Sequence, residues 1–156
     1  MNNPETAIEA KDMVKQFGSF IANDHLTFSV YKGEIFGFLG ANGAGKTTAI
    51  RILCGLSRPT SGEIRVAGYN VFTETEKIKK RIGYMSQRFS LYEDLTVSEN
   101  FRFYGGIYGM SRTSIRKKTG EMLDRLGITD LRSTIIASLP LGIRQKLAFS
   151  VAIMHT

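Results

Sequence analysis

The residues of this sequence best suited to chemistry lie between Gly40 and Thr48, which read Gly-Ala-Asn-Gly-Ala-Gly-Lys-Thr-Thr. Two glycines five positions apart, followed by Lys-Thr, form the phosphate-binding P-loop pattern. Triphosphate is a dense anion, and backbone N–H groups can surround it only where side chains do not intrude. Glycine at positions 40, 43 and 45 meets that requirement. The segment therefore predicts a cradle for the phosphates of a nucleotide, formed by Gly40, Asn42, Gly43, Ala44 and Gly45.

The side chains that follow the glycines are expected to act on the phosphates directly. The ammonium of Lys46 is expected to reach the β and γ phosphates, which makes Lys46 a candidate catalytic residue. The Thr47 hydroxyl is expected to bind Mg²⁺, and Thr48 to add a further phosphate contact. A helix that begins near Lys46 would direct the positive end of its dipole at the same anion. The sequence thus predicts ATP and Mg²⁺ as the ligands of this loop.

Apolar residues with the spacing of strands surround the loop. Alternation of apolar and polar residues predicts strands around positions 8–10, 26–30 and 64–66. The continuous apolar run at 35–39 is typical of a strand buried on both faces, and it leads directly into the P-loop. A further strand is predicted at 82–85.

Helical patterns alternate with these strands and then dominate the second half of the chain. Thr96-Val97-Ser98-Glu99 has the spacing of a capping box. It predicts a helix that runs toward Tyr108 and is broken or softened near Gly105-Gly106. The other helices are predicted at 47–56, at 74–81, at 115–126 and from about 141 onward.

The order of these elements predicts the fold class. Antiparallel strands, then a strand–loop–helix unit, then a helical block indicate an α/β fold with an inserted helical part. We expect a P-loop NTPase core with N-terminal antiparallel β-strands and an inserted α-helical subdomain, in truncated form. The core is expected in residues 1–92, and the helical subdomain in residues 93–156.

Composition limits the class of protein. The chain has 156 residues, of which 42% are hydrophobic and 22% charged, as in ordinary globular proteins. Its single cysteine, Cys54, excludes an internal disulfide and a cysteine-built metal site. The net charge of +7 suits an anionic partner such as a nucleotide, a nucleic acid or a membrane surface. The basic clusters at 77–81 and 112–118 are more typical of solvated helix faces, and no apolar run approaches the ~20 residues of a membrane span.

Taken together, the motifs resemble the nucleotide-binding domains of ABC transporters, over essentially the whole chain. Besides 40–48, the resemblance rests on 59–64, 82–87, 95–100 and 144–147. It implies an ATPase of the bacterial drug-efflux or export type, which couples ATP binding and hydrolysis to transport through separate transmembrane subunits. It also implies a second ATP-binding domain as a dimer partner and no nucleic acid as a partner. The implied location is cytoplasmic, on the inner face of the cell membrane and peripheral to it.

The resemblance assigns roles to residues outside the P-loop. Phe17 falls where the family has an aromatic residue that stacks on adenine, and the alternative is a ring buried against the first strands. Gln87 falls where the family's glutamine meets Mg²⁺ and the attacking water, which makes it a candidate catalytic and metal-binding residue. The alternative for Gln87 is a solvated loop glutamine. Phe89, Leu91 and Tyr92 are candidates to dock on the membrane subunits, although Leu91 and Tyr92 would equally suit the inside of the helical subdomain.

The sequence departs from the family in two places. The family's Leu-Ser-Gly-Gly-Gln signature corresponds here to Leu139-Pro140-Leu141-Gly142-Ile143, and the proline has neither a hydroxyl nor an N–H. We expect the helix to form, because proline suits a first helical turn, but the contact with a partner's nucleotide to be in doubt. The family's acidic strand, general-base glutamate and switch histidine lie downstream of this helix. We therefore expect the 156-residue chain alone to bind at most nucleotide, without hydrolysing it, and residues 35–39 to lack a neighbouring strand.

Two other classes of protein are alternatives. A soluble ABC-type ATPase acting on ribosomes or DNA would suit the positive charge, but such proteins usually carry two cassettes or long arm insertions. An unrelated P-loop kinase or GTPase predicts neither a glutamine at the end of a strand nor a signature helix. The sequence therefore favours the transport ATPase.

Overall fold

The computed structural model describes residues 5–86 and 90–155 of the chain. Their contacts divide the chain into two units, Met1–Ile82 and Gly83–Thr156. Each unit has its own cluster of buried apolar side chains. The boundary expected after residue 92 stays a prediction.

The first unit is built on an antiparallel sheet with the strand order β2-β1-β3-β4. The two long strands, β1 (Thr6–Phe17) and β2 (Phe20–Tyr31), form a hairpin. The short strand β3 (Ser61–Val66) pairs with the other edge of β1, and β4 (Tyr69–Asn70) pairs with β3. The three strands predicted from alternation are confirmed within β1, β2 and β3.

Two helices accompany the sheet in the first unit. They are α1 (Lys46–Leu53) and α2 (Thr75–Lys79), and both are shorter than predicted. Cys54, which follows α1, is half-buried, and burial raises the pKa of its thiol. The core of this unit combines both helices with the sheet; its fully or nearly buried members are Ala10, Met13, Ala49, Ile52, Leu53, Ile64, Val66, Val71 and Ile78.

Two segments that the sequence predicts as strands have no regular secondary structure. Neither 35–39 nor 82–85 is part of a strand, and the side chains of Ile35 and Leu39 are 100% and 96% exposed. A strand needs a neighbour to satisfy its backbone N–H and C=O groups, and none of the described strands pairs with either segment. Both strand predictions are therefore wrong. The expectation that residues 35–39 lack a neighbouring strand is confirmed among the described residues.

Aromatic packing holds the segment before the P-loop against the sheet. Phe28 of β2 stacks on Phe36, with ring centroids 5.5 Å apart, and meets Phe38 edge-on at 5.1 Å. Phe36 and Phe38 also meet edge-on, at 5.2 Å. These contacts guide the chain toward Gly40 without a strand ladder.

The second unit is helical. It contains α3 (Val97–Ile107), α4 (Arg112–Leu126) and α5 (Leu141–Ile153), with 3-10 turns at Thr129–Ser133 and Ile136–Ser138. All three helices contribute to one core, whose buried side chains include Val97, Phe101, Ile115, Leu123, Ile136, Leu147, Val151 and Met154.

Local signals explain where α3 begins and why it continues. The capping box is confirmed, because the Thr96 hydroxyl accepts the Glu99 N–H at 3.2 Å and the Glu99 carboxylate accepts the Thr96 N–H at 2.9 Å. The interruption expected near Gly105-Gly106 is wrong, since α3 runs on to Ile107. A Cβ at position 105 would lie 2.6 Å from the Ile115 side chain. Glycine is used there for close packing between α3 and α4 rather than to break the helix.

Candidate nucleotide-binding site

The P-loop forms the turn that leads into α1. Gly43 and Gly45 have φ angles of 84° and 78°, in the left-handed region that glycine adopts without strain. Gly45 also lies directly against β2, because a Cβ there would stand 2.1 Å from the Ala22 carbonyl oxygen. Position 45 thus requires glycine for two reasons: the left-handed backbone conformation and the lack of space for a side chain.

Lys46 places its charge inside this loop. Its ammonium donates to the carbonyl oxygens of Gly40 at 2.7 Å and of Ala41 at 2.6 Å. An ammonium has three N–H donors, so one remains for a further acceptor. Lys46 is also the first residue of α1, whose first N–H groups have no partner within the helix and carry the positive end of its dipole. An ammonium, a helix N-terminus and glycine backbone around one spot suit a polyphosphate.

The hydroxyls predicted to contact the ligand lie in the first turn of α1. Thr47 is exposed and Thr48 is half-buried, while Asn42 and Ala44 are exposed in the loop. A hydroxyl oxygen is a hard ligand of the kind that Mg²⁺ prefers. Across 5–86 and 90–155, no group of three or more His, Cys, Asp or Glu is arranged to hold a metal. The residues present fit an Mg²⁺ held jointly by Thr47, phosphate oxygens and water.

Asn23 of β2 ties the sheet to the P-loop, and sequence reasoning missed it. Its side chain is only 3% exposed, and its amide N–H donates to the Gly45 carbonyl at 3.1 Å. The same carbonyl accepts the first hydrogen bond of α1, from the Ala49 N–H at 2.9 Å. The Asn23 amide oxygen is buried with no hydrogen-bond partner in the described part of the chain. Burying a polar atom without a hydrogen bond costs free energy. Asn23 therefore holds the P-loop in place but lowers the free energy of unfolding.

Phe17 lies at the end of β1, beside the hairpin turn. It is 52% exposed, so the alternative of a ring buried against the first strands is wrong. The Lys15 ammonium lies 4.6 Å from the centroid of the Phe17 ring. Lys15 is also the partner of Asn23 across the β1–β2 ladder, so the Phe17 end of the hairpin is the end that contacts Gly45. Stacking of Phe17 on adenine stays a prediction.

The segment that follows the first unit is described only in part. Gln87 and Phe89 lie outside the described residues, and their roles stay predictions. Leu91 is buried in the core of the helical unit, so it packs inside rather than docking on a partner. Tyr92 is 47% exposed and meets the exposed ring of Phe103 edge-on at 4.8 Å. Of the residues considered for docking, Tyr92 therefore keeps an accessible surface.

The signature segment forms the beginning of α5. Leu139 is buried, and Pro140 immediately precedes the first helical residue. The Pro140 carbonyl accepts the N–H groups of Ile143 and Arg144, both at 3.0 Å, so the proline starts the helix instead of blocking it. The prediction that this helix forms is confirmed. Leu141, the first residue of α5, is 60% exposed, and it stands where the family has a glycine.

Comparison with known proteins decides between the P-loop classes. The model of the ABC transporter family matches residues 23–156. The chain belongs to the ABC transporter family. It is 45% identical over 151 residues to a probable multidrug ABC transporter ATP-binding protein of Escherichia coli K12. The aligned region covers 97% of this chain and 26% of that protein. It is 36% identical over 148 residues to the linearmycin resistance ATP-binding protein of Bacillus subtilis, covering 95% of this chain and 48% of the relative. With the bacitracin transport ATP-binding protein of Bacillus licheniformis, the identity is 37% over 150 residues, or 96% and 48% of the two chains.

A solved structure supports the same assignment of the fold. The ATP binding subunit of an ABC transporter matches with a TM-score of 0.83 and 29% identity, over 96% of this chain and 62% of that chain. The predicted fold class is thereby confirmed. This chain spans about a quarter to a half of the length of the curated relatives named above. No helix within the described ranges is long and apolar enough to cross a membrane.

We expect Asn23 to act as a positioning residue for the P-loop. Asn23→Leu keeps the size of the side chain but removes the donor to Gly45. It should weaken MgATP binding by the full-length protein about three- to tenfold, the effect of one hydrogen bond worth about 1 kcal/mol. Asn23→Asp should weaken it further, because a carboxylate cannot donate to a carbonyl and repels phosphate. Calorimetric titration with MgATP measures both variants, with the exposed neighbour Asp24→Ala as control; equal affinity of Asn23→Leu and the parent would exclude this role.

Proposed function

We propose that this chain is the nucleotide-binding part of a subunit that couples ATP binding and hydrolysis to substrate export through separate membrane subunits. The observation that carries the proposal is the Lys46 ammonium, held inside a glycine loop at the N-terminus of α1. The names of the relatives support export, since they refer to multidrug transport, linearmycin resistance and bacitracin transport.

The residues of the loop account for the binding of MgATP. Lys46 exchanges its bonds to loop carbonyls for bonds to β and γ phosphate oxygens, while backbone N–H groups of the loop and of α1 surround the remaining oxygens. Thr47 supplies one ligand to Mg²⁺, and Thr48 adds a phosphate contact. Bound Mg²⁺ neutralises charge that develops on the phosphates. Phe17, at the end of the hairpin that touches Gly45, stacks on the adenine.

Hydrolysis needs a water molecule in line with the γ phosphate. Gln87 is proposed to orient this water and to meet Mg²⁺, because a neutral amide accepts from water and binds metal without adding charge. A second ATP-binding domain completes the site by presenting its own signature helix. Pro140 has neither a hydroxyl nor an N–H to offer to the nucleotide of the partner domain. In this chain that contact would be made by the N–H groups of Leu141 and Gly142 at the start of α5.

Exposed aromatic residues of the helical unit are the proposed contact with the membrane subunits. Tyr92 and Phe103 are 47% and 43% exposed, and Phe103 meets Tyr104 edge-on at 5.3 Å. The Tyr104 hydroxyl donates to the Ser90 carbonyl, which fixes this cluster to the segment that follows Gln87. Exposed aromatic groups are common anchors of protein interfaces. Docking there would keep the protein on the inner face of the cell membrane.

Lys46→Ala should lower the affinity of the full-length protein for MgATP about tenfold or more, because charge-assisted bonds to phosphate are strong. Arg51→Ala, an exposed cation in the same helix, is the matched control. In the same titrations, Phe17→Ala should weaken ATP more than inorganic triphosphate, which has no base to stack. Unchanged binding by Lys46→Ala would refute the site, and equal losses of both ligands in Phe17→Ala would make Phe17 purely structural.

The 156-residue chain is expected to bind nucleotide without turnover. Lys46 and Thr47 hold phosphate and metal and Gln87 orients the water, but hydrolysis also requires a group that deprotonates the water. The resemblance places the glutamate with that role downstream of the signature helix. Release of phosphate by the purified chain, measured beside the full-length protein, tests this expectation. Turnover at the full-length rate that disappears in Lys46→Ala would mean that residues 1–156 contain a base of their own.

Tyr92→Ala combined with Phe103→Ala should reduce co-purification of the full-length protein with its membrane subunits several-fold. Phe149→Ala removes a similarly exposed ring from α5 and should leave co-purification unchanged.

The net charge of +7 also suits a soluble ABC-type ATPase that acts on ribosomes or DNA. Co-purification with ribosomes or DNA, and not with membrane proteins, would therefore favour that alternative over export.

A further inference from the structure

The helical unit contains a cavity that no step of the proposed function uses. Its volume is about 380 Å³, and it lies between α3, α4 and the 3-10 turn at Thr129–Ser133. The floor is neutral, because Ile115 and Thr119 are almost fully buried and the Thr119 hydroxyl donates to the Ile115 carbonyl at 2.7 Å. The walls carry four arginines from three elements: Arg102, Arg112, Arg116 and Arg132.

These arginines lack the close ion pairs that other cations of the chain form. Lys77 and Lys79 each form an ion pair with a carboxylate three residues away, and Arg144 pairs with Glu93 at 2.8 Å. None of the four cavity arginines forms an ion pair with any residue in the described ranges. The cations of the cavity are therefore available to a ligand.

The acidic residue of the cavity does not balance this charge. Among the described residues that line the cavity, Glu99 is the only carboxylate, and it is committed to the capping box through the N–H and hydroxyl of Thr96. These hydrogen bonds and, to a smaller extent, the charge of Arg102 lower the pKa of Glu99. Four guanidinium groups against one carboxylate leave a formal excess of three positive charges.

We propose that this cavity binds a phosphate-bearing anion at a site separate from the nucleotide site of the P-loop. The excess of positive charge calls for a ligand with more than one negative charge. Guanidinium groups present several N–H donors in a planar fork that matches phosphate oxygens in pairs. The volume lies at the lower end of the range for small-molecule sites, which is larger than one phosphate needs and suits a diphosphate or a phosphorylated headgroup.

Pyrophosphate is the probe that separates this site from the P-loop. Titration is carried out on the full-length protein with Lys46→Ala, because that change weakens the P-loop site. We expect this protein to retain a pyrophosphate site whose affinity falls as salt increases. Adding Arg102→Ala and Arg116→Ala should weaken that site about tenfold or more, since both forks are lost. Failure of the Lys46→Ala protein to bind pyrophosphate would overturn the proposal, whatever the P-loop does in the parent protein.

Matched variants separate loss of the site from loss of charge or fold. Arg125→Ala removes one positive charge from α4, as Arg116→Ala does, at a position that does not line the cavity, and it should bind like its parent. Arg102→Lys with Arg116→Lys keeps the charge and removes the forks, so an intermediate affinity supports paired recognition of phosphate. Equal affinity in the alanine pair, the lysine pair and Arg125→Ala would overturn the proposal.

Vesicles distinguish the two sources of such a phosphate group. A lipid headgroup is identified if the protein is retained on vesicles that contain phosphatidylglycerol but not on vesicles of phosphatidylcholine alone. This retention should be lost in the variant with Arg102→Ala and Arg116→Ala. Arginine-dependent binding of pyrophosphate without such retention would identify a soluble phosphate ester. Vesicle and pyrophosphate binding that are both independent of these arginines would count against any ligand of this class.

Discussion

The close approach of Gly45 to β2 is the contact on which the rest of the nucleotide site depends. The Ala22 carbonyl oxygen lies only 2.1 Å from where a Cβ at position 45 would stand, and Asn23 donates to the carbonyl that accepts the first hydrogen bond of α1. Because α1 begins at this contact, the direction of the helix and the origin of the Lys46 side chain are set by the hairpin. The β1–β3 ladder in turn holds the hairpin in the sheet. The proposed phosphate site is thus anchored to antiparallel strands, and the described segment before the loop forms no strand ladder.

The features that the sequence predicts correctly depend on residues close together in the chain. The glycine turn that leads into α1, the capping box at Thr96 and the helix that begins after Pro140 each need only a few neighbouring residues. The strand predicted at 35–39 fails because a strand also needs a partner, and the apolar pattern carries no information about where that partner lies. The contact between Asn23 and Gly45 spans 22 positions, so no local pattern reveals it. Leu91 and Tyr92 fit the same apolar pattern, and only the packing of the helical unit separates the buried residue from the exposed one.

The positive charge of the chain is organised in different ways along its length. The basic cluster at 77–81 behaves as a solvated helix face, with Lys77 and Lys79 paired to glutamates. The cluster at 112–118 divides by the geometry of the helix, since Lys117 approaches Glu121 at 3.9 Å while Arg112 and Arg116 line the cavity. For the ligands proposed here, the P-loop offers backbone groups and one ammonium, whereas the cavity offers guanidinium groups. Net charge alone therefore does not identify what this protein binds; the geometry of each group does.

The bonds from Lys46 to Gly40 and Ala41 also affect which anions the loop selects. A lysine side chain that is free in solution loses about 2 kcal/mol of rotamer entropy when a ligand fixes it. Here much of that loss has already occurred, because two loop carbonyls hold the ammonium. An incoming ligand must instead replace two short hydrogen bonds, which a weakly charged anion such as chloride does poorly. In the proposed site, these two bonds would favour anions of high charge density, such as a triphosphate, over chloride, independently of any contact with the adenine.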